Sequence, residues 1–125
     1  MRTVTGLAEA AVQAGVRPDG LLIDPGHDFG KTTTQSLDVT RRLSELVATG
    51  LPVLVALSNK DFVGETLDLP VEARLTGTLA ATAVAAWLGA RVFRTHNVPE
   101  VRQVLDMIAS IRGDRPPAAP RRGLL

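Results

Sequence analysis

Polar residues recur at a nearly constant interval along this sequence, each shortly after a short apolar run. Asp24, Lys60 and Arg94 are 36 and 34 residues apart. The preceding runs are rich in Val, Ile and Leu and lie at residues 21–23, 53–57 and 92–93. Uninterrupted apolar runs are typical of strands covered on both faces, as in parallel sheets. A repeating unit of this length indicates a parallel α/β fold, either a barrel or an open doubly wound sheet.

The segments between the apolar runs have the spacing of helices. Apolar residues recur at helical intervals within 37–47, and an Ala-rich segment spans 75–88. Three glycines each precede the next strand by a few residues, as expected where a helix ends in a left-handed residue: Gly15, Gly50 and Gly89. The predicted order is therefore helix, strand, helix, strand, helix, strand, helix.

Composition excludes several classes of function. The formal net charge is +1, from 14 Lys and Arg against 13 Asp and Glu, so the bulk charge does not indicate nucleic acid or an acidic membrane as a partner. The chain has no Cys, which excludes disulfides, thiolate zinc sites and a Cys nucleophile. No segment reaches the roughly 18 apolar residues of a membrane helix, and the first residues lack the apolar core of a signal peptide. We expect a soluble, cytoplasmic protein.

The length of the chain allows one modest core rather than two domains. We assign residues 1–112 to one folded unit and 113–125 to a disordered tail, because the tail combines several prolines with no apolar periodicity. A helix predicted at 7–12 precedes the first strand and has no earlier strand to cover. Three strands also cannot close a barrel, since closure commonly takes about eight. We therefore expect the chain to be part of a larger fold.

The first strand leads into a glycine-rich loop, in which residues 24–32 read Asp-Pro-Gly-His-Asp-Phe-Gly-Lys-Thr. A phosphate-binding P-loop is excluded because Gly26 and Gly30 stand too close together and the proline removes a backbone donor. Asp-Pro-Gly alone is also typical of an ordinary turn. Two neighbouring loop residues usually point in different directions, so we expect His27 and Asp28 to be solvated rather than to bind a metal.

The other two strand ends carry cationic side chains. Residues 58–64 read Ser-Asn-Lys-Asp-Phe-Val-Gly, which places the hydroxyl of Ser58 and the ammonium of Lys60 beyond the second strand. The third strand leads into Arg94 and His96, which strand alternation directs to the same side. Ligands bind at the carboxyl ends of parallel strands, and two converging donors suit anionic oxygens, phosphate above all. For Lys60 taken alone, the alternative to a binding role is an ordinary solvated lysine on the surface.

Together, the three strand-end motifs resemble those of the dihydropteroate synthase family. The resemblance is carried by Asp-Pro-Gly and Phe-Gly-Lys within 24–31, by Ser-x-Lys and Phe-x-Gly within 58–64, and by Arg-x-His at 94–96. It covers residues 20 to about 110. It implies an α/β fold in which this chain supplies the C-terminal three βα units of a TIM (β/α)8 barrel, which is incomplete by itself.

The resemblance implies a transferase of folate biosynthesis. Family members join 6-hydroxymethyl-7,8-dihydropterin pyrophosphate to p-aminobenzoate, forming dihydropteroate and releasing pyrophosphate. The implied residues divide by ligand, with Asp24 and Lys60 for the pterin, Phe29 and Ser58 for the p-aminobenzoate pocket, and Arg94 and His96 for the pyrophosphate. Arg94, His96 and Lys60 are then the catalytic residues.

The resemblance also implies partners and a cofactor. The partners are the two small-molecule substrates, and a homodimer is compatible with the family. Mg²⁺ is the cofactor expected of the family. Its usual ligand, an asparagine on an earlier strand, has no counterpart in this chain, so we assign no metal ligand here.

Three positions depart from the family pattern and indicate a divergent branch. Asp28 stands where the family usually has Gly, Asn59 where it has Arg, and Asn97 where it has Asp. Asp28 is expected to add negative charge beside the pocket, and Asn59 removes a planar cation near it.

Two functions therefore remain open. The first is a synthase-like transferase of which this chain alone is inactive. The second is a non-catalytic pterin-binding paralogue, or a half-barrel that pairs with another chain. An in-frame coding continuation upstream of Met1 would favour the first. A flavin- or triose-type phosphate barrel is a third class, and it would lack the pairing of Asp24 with Lys60 on a pterin.

Overall fold

The structure, a computed structural model of the chain, describes residues 2–123. Its helices and strands follow one another as α1 Arg2–Gln13, α2 Thr33–Arg41, α3 Leu43–Val47, β1 Leu54–Val55, α4 Asp61–Leu67, α5 Leu75–Trp87, β2 Val92–Phe93 and α6 Val98–Arg112. Short 3-10 turns lie at Pro18–Gly20 and Val71–Ala73. None of the helices in the described part of the chain has the length and apolar character that crossing a membrane requires.

The sheet is parallel, as the sequence predicts. Leu54 pairs with Val92 and Val55 with Phe93, so β1 and β2 run side by side in the same direction. The segment between them contains α4 and α5, the crossover that parallel strands need. The prediction of a parallel α/β fold is confirmed.

The first predicted strand is much shorter than expected. Residues 21–23 contribute a single parallel bridge, between Ile23 and Val53. A 3-10 turn ends at Gly20, and the turn begun by Asp24 follows at once, so only a few residues are left in extended geometry. The bridge still fixes the position of the loop at 24–32 beside β1.

The core lies between β1 and the helices. Val53 and Val55 are each 1% exposed, whereas Leu54 between them is half-buried, so the face that carries the two valines is the one packed in the core. α3 contributes Leu43 and Leu46, at helical spacing, to the same cluster. The other buried members are Ile23, Leu57, Phe62, Val63, Ala85 and Ala90.

The helices agree with the sequence in most of their ends. The Ala-rich helix predicted at 75–88 corresponds to α5, and the three glycines predicted to follow helices all have positive φ: Gly15, Gly50 and Gly89. The helix predicted across 37–47 is divided into α2 and α3, because Arg42 leaves helical geometry with φ −100° and ψ 15°. α4 was not predicted.

α6 ends where the composition of the chain changes. Arg112 is its last residue, and Gly113 follows with a φ of 84°. Residues 113–123 contain no helix or strand, although Arg115 forms an ion pair with Asp106 of α6. Disorder of residues 113–125 stays a prediction, and its last two residues lie outside the described chain.

Candidate functional site

A cleft opens at the carboxyl ends of β1 and β2. Its volume is about 350 Å³, and its lining residues follow the two strands: Ala56, Ser58, Lys60, Arg94, Thr95 and His96. The parallel register explains this set, because both strands end at the same edge of the sheet. The structure thus brings together the residues predicted at the second and third strand ends.

Lys60 connects this cleft to the loop at 24–32. Its Nζ donates a hydrogen bond of 2.8 Å to the carbonyl oxygen of His27. The same Nζ lies 4.9 Å from the ring centroid of Phe29, a distance at which a cation is attracted to the ring face. The alternative interpretation of Lys60, as a solvated surface lysine, is therefore wrong.

The electrostatic environment of Lys60 involves charged groups from the other two strand ends. Burial lowers the pKa of Lys60 below its usual value of 10.5. The carboxylates of Asp24 and Asp28 oppose this change, and the cations Arg94 and Lys31 add to it. Charges from the first loop and from the third strand end therefore act on the same ammonium.

Asp24 is exposed and begins the turn of the first loop. Its Oδ1 accepts a hydrogen bond of 2.7 Å from the N–H of Gly26, and Lys31 Nζ donates to the carbonyl of Gly26 at 3.1 Å. Within residues 2–123, the second carboxylate oxygen of Asp24 has no hydrogen-bond partner. Phe29 is 70% exposed, so the face of its ring that Lys60 does not cover is open to a ligand.

Ser58 and His96 form a pair across the strand ends. Ser58 Oγ lies 2.8 Å from His96 Nδ1 and accepts a hydrogen bond of 3.2 Å from the backbone N–H of His96. Ser58 is buried, whereas His96 is exposed. The pairing therefore holds the imidazole at the edge of the cleft.

Arg94 is exposed beside this pair. Its backbone N–H donates to the carbonyl of Val55 at 3.0 Å, which continues the β1–β2 pairing by one residue. No hydrogen bond from its guanidinium to another described residue is present. The guanidinium and the ring of His96 are thus both available to an anion.

The prediction that His27 is solvated is wrong. The side chain is completely buried, and its Nε2 lies 2.8 Å from Thr40 Oγ1. The hydroxyl of Thr40 donates to the carbonyl of Ser36, so the Nε2–H of His27 is the donor toward Thr40. Its Nδ1 is buried without a partner among the described residues, and its ring contacts that of Phe62 at 5.3 Å.

This environment disfavours a charged imidazole. Burial, with a smaller contribution from Lys60, lowers the pKa of His27 from 6.5 to about 4. His27 therefore stays neutral near pH 7. Its backbone carbonyl, rather than its side chain, serves the cleft by anchoring Lys60.

Asp28 is half-buried and turns toward the helices, so its predicted solvation is also wrong. Its backbone has a φ of 67°, a left-handed conformation that explains why the family usually has Gly at this position. The N–H of Asp28 donates to Ser36 Oγ at 3.1 Å, and its Oδ2 accepts the N–H of Phe62, in the first turn of α4, at 3.3 Å. Asp28 thus ties the first loop to α2 and α4.

Asn59 turns away from the cleft. Its Oδ1 accepts a hydrogen bond of 3.3 Å from the hydroxyl of Thr78, a completely buried residue of α5. Its own N–H donates to the same Oγ1 at 3.0 Å. The departure from the family arginine therefore leaves this side chain packed on α5.

Arg74, which the sequence analysis did not identify, supports the segment that carries Ser58 and Lys60. Its Nη1 donates to the carbonyl of Asn59 at 3.0 Å and to Asp61 Oδ1 at 3.1 Å, and its Nε donates to the carbonyl of Leu69 at 3.1 Å. The guanidinium lies over Gly64, where any Cβ would overlap it. The glycine of the Phe-x-Gly motif was the signal that could have indicated this arrangement.

The described residues do not provide a magnesium site. Within residues 2–123, no group of three or more His, Asp or Glu side chains lies close enough together to hold a metal ion. Of the two carboxylates that act on Lys60, Asp24 bonds the N–H of Gly26 and Asp28 bonds the N–H of Phe62. We therefore derive no step through a metal from this chain.

Comparison with known proteins points to one family. Residues 2–96 match the family model described as pterin binding enzyme. A protein of Mycobacterium leprae named inactive dihydropteroate synthase 2 is 58% identical over 124 residues, which cover 99% of this chain and 43% of that protein. The dihydropteroate synthase of Escherichia coli is 36% identical over 96 residues, which cover 77% of this chain and 34% of that enzyme.

A solved structure shows the same fold. The crystal structure of the Yersinia pestis dihydropteroate synthase in a complex with a sulfonamide drug superposes with a TM-score of 0.86, at 34% identity. The match covers 91% of this chain and 42% of that one. The prediction that the chain corresponds to part of such a barrel is confirmed. The chain spans less than half the length of the curated relatives named here.

Proposed function

Because the chain belongs to the pterin-binding enzyme family of the dihydropteroate synthases, we propose that its strand-end cleft binds a pterin carrying a diphosphate. One observation supports this most directly. Lys60 lines the cleft together with Arg94 and His96, and its ammonium donates to the carbonyl of His27 in the loop that Asp24 begins. An acceptor for the heterocycle and donors for an anion thus stand at one edge of the sheet.

The pterin half of the proposal depends on Asp24 and Lys60. The second oxygen of Asp24 accepts hydrogen bonds from the amino-pyrimidine edge, for which an acceptor-only carboxylate is suited. Lys60 donates to the pterin from the second strand end, while its bond to His27 holds the ammonium in place. The family resemblance assigns Phe29 and Ser58 to the p-aminobenzoate pocket.

The diphosphate half depends on Arg94 and His96. Both are exposed at the end of β2, and both offer N–H donors to anionic oxygens. In a synthase reaction these donors would stabilise the negative charge that develops on the diphosphate as it leaves the pterin carbon. The amine of p-aminobenzoate then forms the new bond to that carbon.

A non-catalytic pterin-binding role is the second candidate. The Mycobacterium leprae relative, at 58% identity over nearly the whole chain, is named an inactive synthase. Asp28 and Asn59 depart from the family pattern, and both are used in bonds to helices rather than to the cleft. Binding without turnover is consistent with both observations.

We expect Arg94→Ala to raise the dissociation constant for inorganic pyrophosphate by about tenfold or more, since a bond to a charged group contributes about 1.5 to 3 kcal/mol. The affinity for a pterin without a diphosphate should change by less than about twofold, because the pterin contacts are on Asp24 and Lys60. Isothermal titration calorimetry with each ligand separately measures both constants.

Arg91→Ala is the matched control for this experiment. Arg91 is also exposed, but it precedes β2, whereas Arg94 follows it. It should leave both affinities unchanged. Equal losses of pyrophosphate and pterin binding in Arg94→Ala, or equal losses in the two arginine variants, would contradict the assignment.

We also expect the purified 125-residue chain to form no measurable dihydropteroate. The residues present supply part of a site, and the chain covers 43% of its Mycobacterium leprae relative. The assay combines the chain, 6-hydroxymethyl-7,8-dihydropterin pyrophosphate and radiolabelled p-aminobenzoate, with the Escherichia coli synthase as the positive control. Product from the chain alone would show that its cleft is a complete active site.

A further inference from the structure

The contact between Ser58 and His96 determines which nitrogen of the imidazole carries the proton. Ser58 is 7% exposed, so its hydroxyl is largely removed from water. Its Oγ meets two nitrogen atoms of the same residue, the backbone N of His96 at 3.2 Å and the ring Nδ1 at 2.8 Å. No other hydrogen-bond partner of this hydroxyl occurs within residues 2–123.

The protons in this arrangement can be counted. A backbone N–H can only donate, so Ser58 Oγ accepts from the N–H of His96. The hydroxyl's own proton then needs an acceptor, and the Nδ1 of His96 lies within hydrogen-bond distance at 2.8 Å. If Nδ1 carried a proton, the buried hydroxyl would lose its acceptor, which costs about 1–3 kcal/mol. The neutral ring therefore carries its proton on Nε2.

The position of this proton matters for the ligand. His96 is exposed and lines the cleft with Arg94 and Lys60. With the proton on Nε2, the imidazole offers an N–H donor at the cleft, as the two cations do. With the proton on Nδ1, it would offer a lone pair, which repels an anionic oxygen.

We propose that Ser58 is a positioning residue that holds neutral His96 as the Nε2–H tautomer, so that Nε2 donates to an oxygen of the bound diphosphate. The identity of the anion rests on the proposed function, whereas the tautomer does not. This role differs from the one that the family resemblance implies for Ser58, which is to line the p-aminobenzoate pocket. The two roles predict losses for different ligands.

The tautomer is measured first, without ligand, by long-range proton–nitrogen correlation NMR of the 15N-labelled chain near pH 7.5. The chain has two histidines, so comparison with His96→Gln assigns the signals. We expect Nδ1 of His96 to resonate as an unprotonated nitrogen and Nε2 as a protonated one. The opposite pattern, or an even mixture of the two, overturns the proposal. This measurement decides the question even if variants at position 58 do not fold.

Binding to Ser58→Ala tests the consequence. We expect the dissociation constant for inorganic pyrophosphate to rise about fivefold, as for the loss of one hydrogen bond, with the pterin constant unchanged. Ser58→Thr keeps a hydroxyl and should restore pyrophosphate binding. Ser44→Ala, an exposed serine of α3, is the control for loss of a hydroxyl elsewhere.

The outcomes separate the proposal from the proposed function. Unchanged pyrophosphate affinity and an unchanged tautomer in Ser58→Ala overturn the positioning role. Selective loss of p-aminobenzoate binding, with pyrophosphate binding intact, assigns Ser58 to the pocket wall and also overturns it. If the wild-type chain fails to bind pyrophosphate while the tautomer responds to Ser58→Ala, the proposed function fails and the positioning of the ring stands.

Discussion

Lowering the pH from 7 to 5 should reduce the free energy of unfolding by about 2 kcal/mol through His27 alone. The folded chain holds the pKa of His27 at about 4, mainly because the ring is buried, against 6.5 for a free imidazole. Between these two values the unfolded chain takes up a proton that the folded chain does not. The stabilisation is therefore complete above pH 6.5 and is lost as the pH falls toward 4. Urea unfolding, followed by circular dichroism at several pH values, measures the free energy of unfolding and therefore this loss.

Two histidine variants separate this effect from other titrations. His27→Gln should be less stable than the wild-type chain at pH 7, because it loses the ring packed on Phe62 and the bond to Thr40. Its stability should then depend much less on pH between 7 and 5. His96→Gln retains His27, so a pH dependence of about the size expected for His27 should remain. Parallel curves for the wild-type chain and His27→Gln would exclude His27 as the cause.

The strand-end spacing predicted the parallel sheet because each βα unit repeats the same geometry. The positions of Asp24, Lys60 and Arg94 required no knowledge of tertiary contacts, since parallel strands place their carboxyl ends at one edge. The length of the first strand depended on its neighbours. An apolar run at 21–23 is compatible with a strand, but the turns on both sides leave one bridge at Ile23.

α4 could not be recognised from periodicity. It has seven residues, too few for a repeating apolar face, and it contains Gly64. Contacts from distant residues support it instead. Asp28 accepts a hydrogen bond from the N–H of Phe62 in its first turn, and the guanidinium of Arg74 lies against Gly64.

The candidate site shows the same limit. The side-chain types at the strand ends indicated which chemistry to expect, and the structure brings these residues to one edge of the sheet. The direction of His27 was not predictable, because its partner Thr40 lies 13 residues further along the chain, on α2. The pairing of Ser58 with His96 spans 38 residues and depends on the register of β1 and β2.

Gly64→Ala should lower the free energy of unfolding by about 2 kcal/mol, although alanine normally favours a helix over glycine by about 1 kcal/mol. The added Cβ would overlap the guanidinium of Arg74. To avoid this overlap, the guanidinium must give up its hydrogen bonds to the carbonyls of Asn59 and Leu69. These bonds are made by a largely buried charged group, so their loss is costly. Urea unfolding measures the loss, and the loop that carries Lys60 should become more mobile.

A double-mutant cycle identifies the cause of this loss. In an Arg74→Ala background the overlap is absent, so adding Gly64→Ala should be neutral or stabilise the chain by up to about 1 kcal/mol. Gly6→Ala is the matched control, because Gly6 is an exposed residue inside α1 with open space around its missing Cβ. It should raise stability by about 0.5 to 1 kcal/mol. If Gly64→Ala instead costs the same with and without Arg74, the glycine is required by the packing of α4 itself, and Arg74 does not depend on it to reach Asn59.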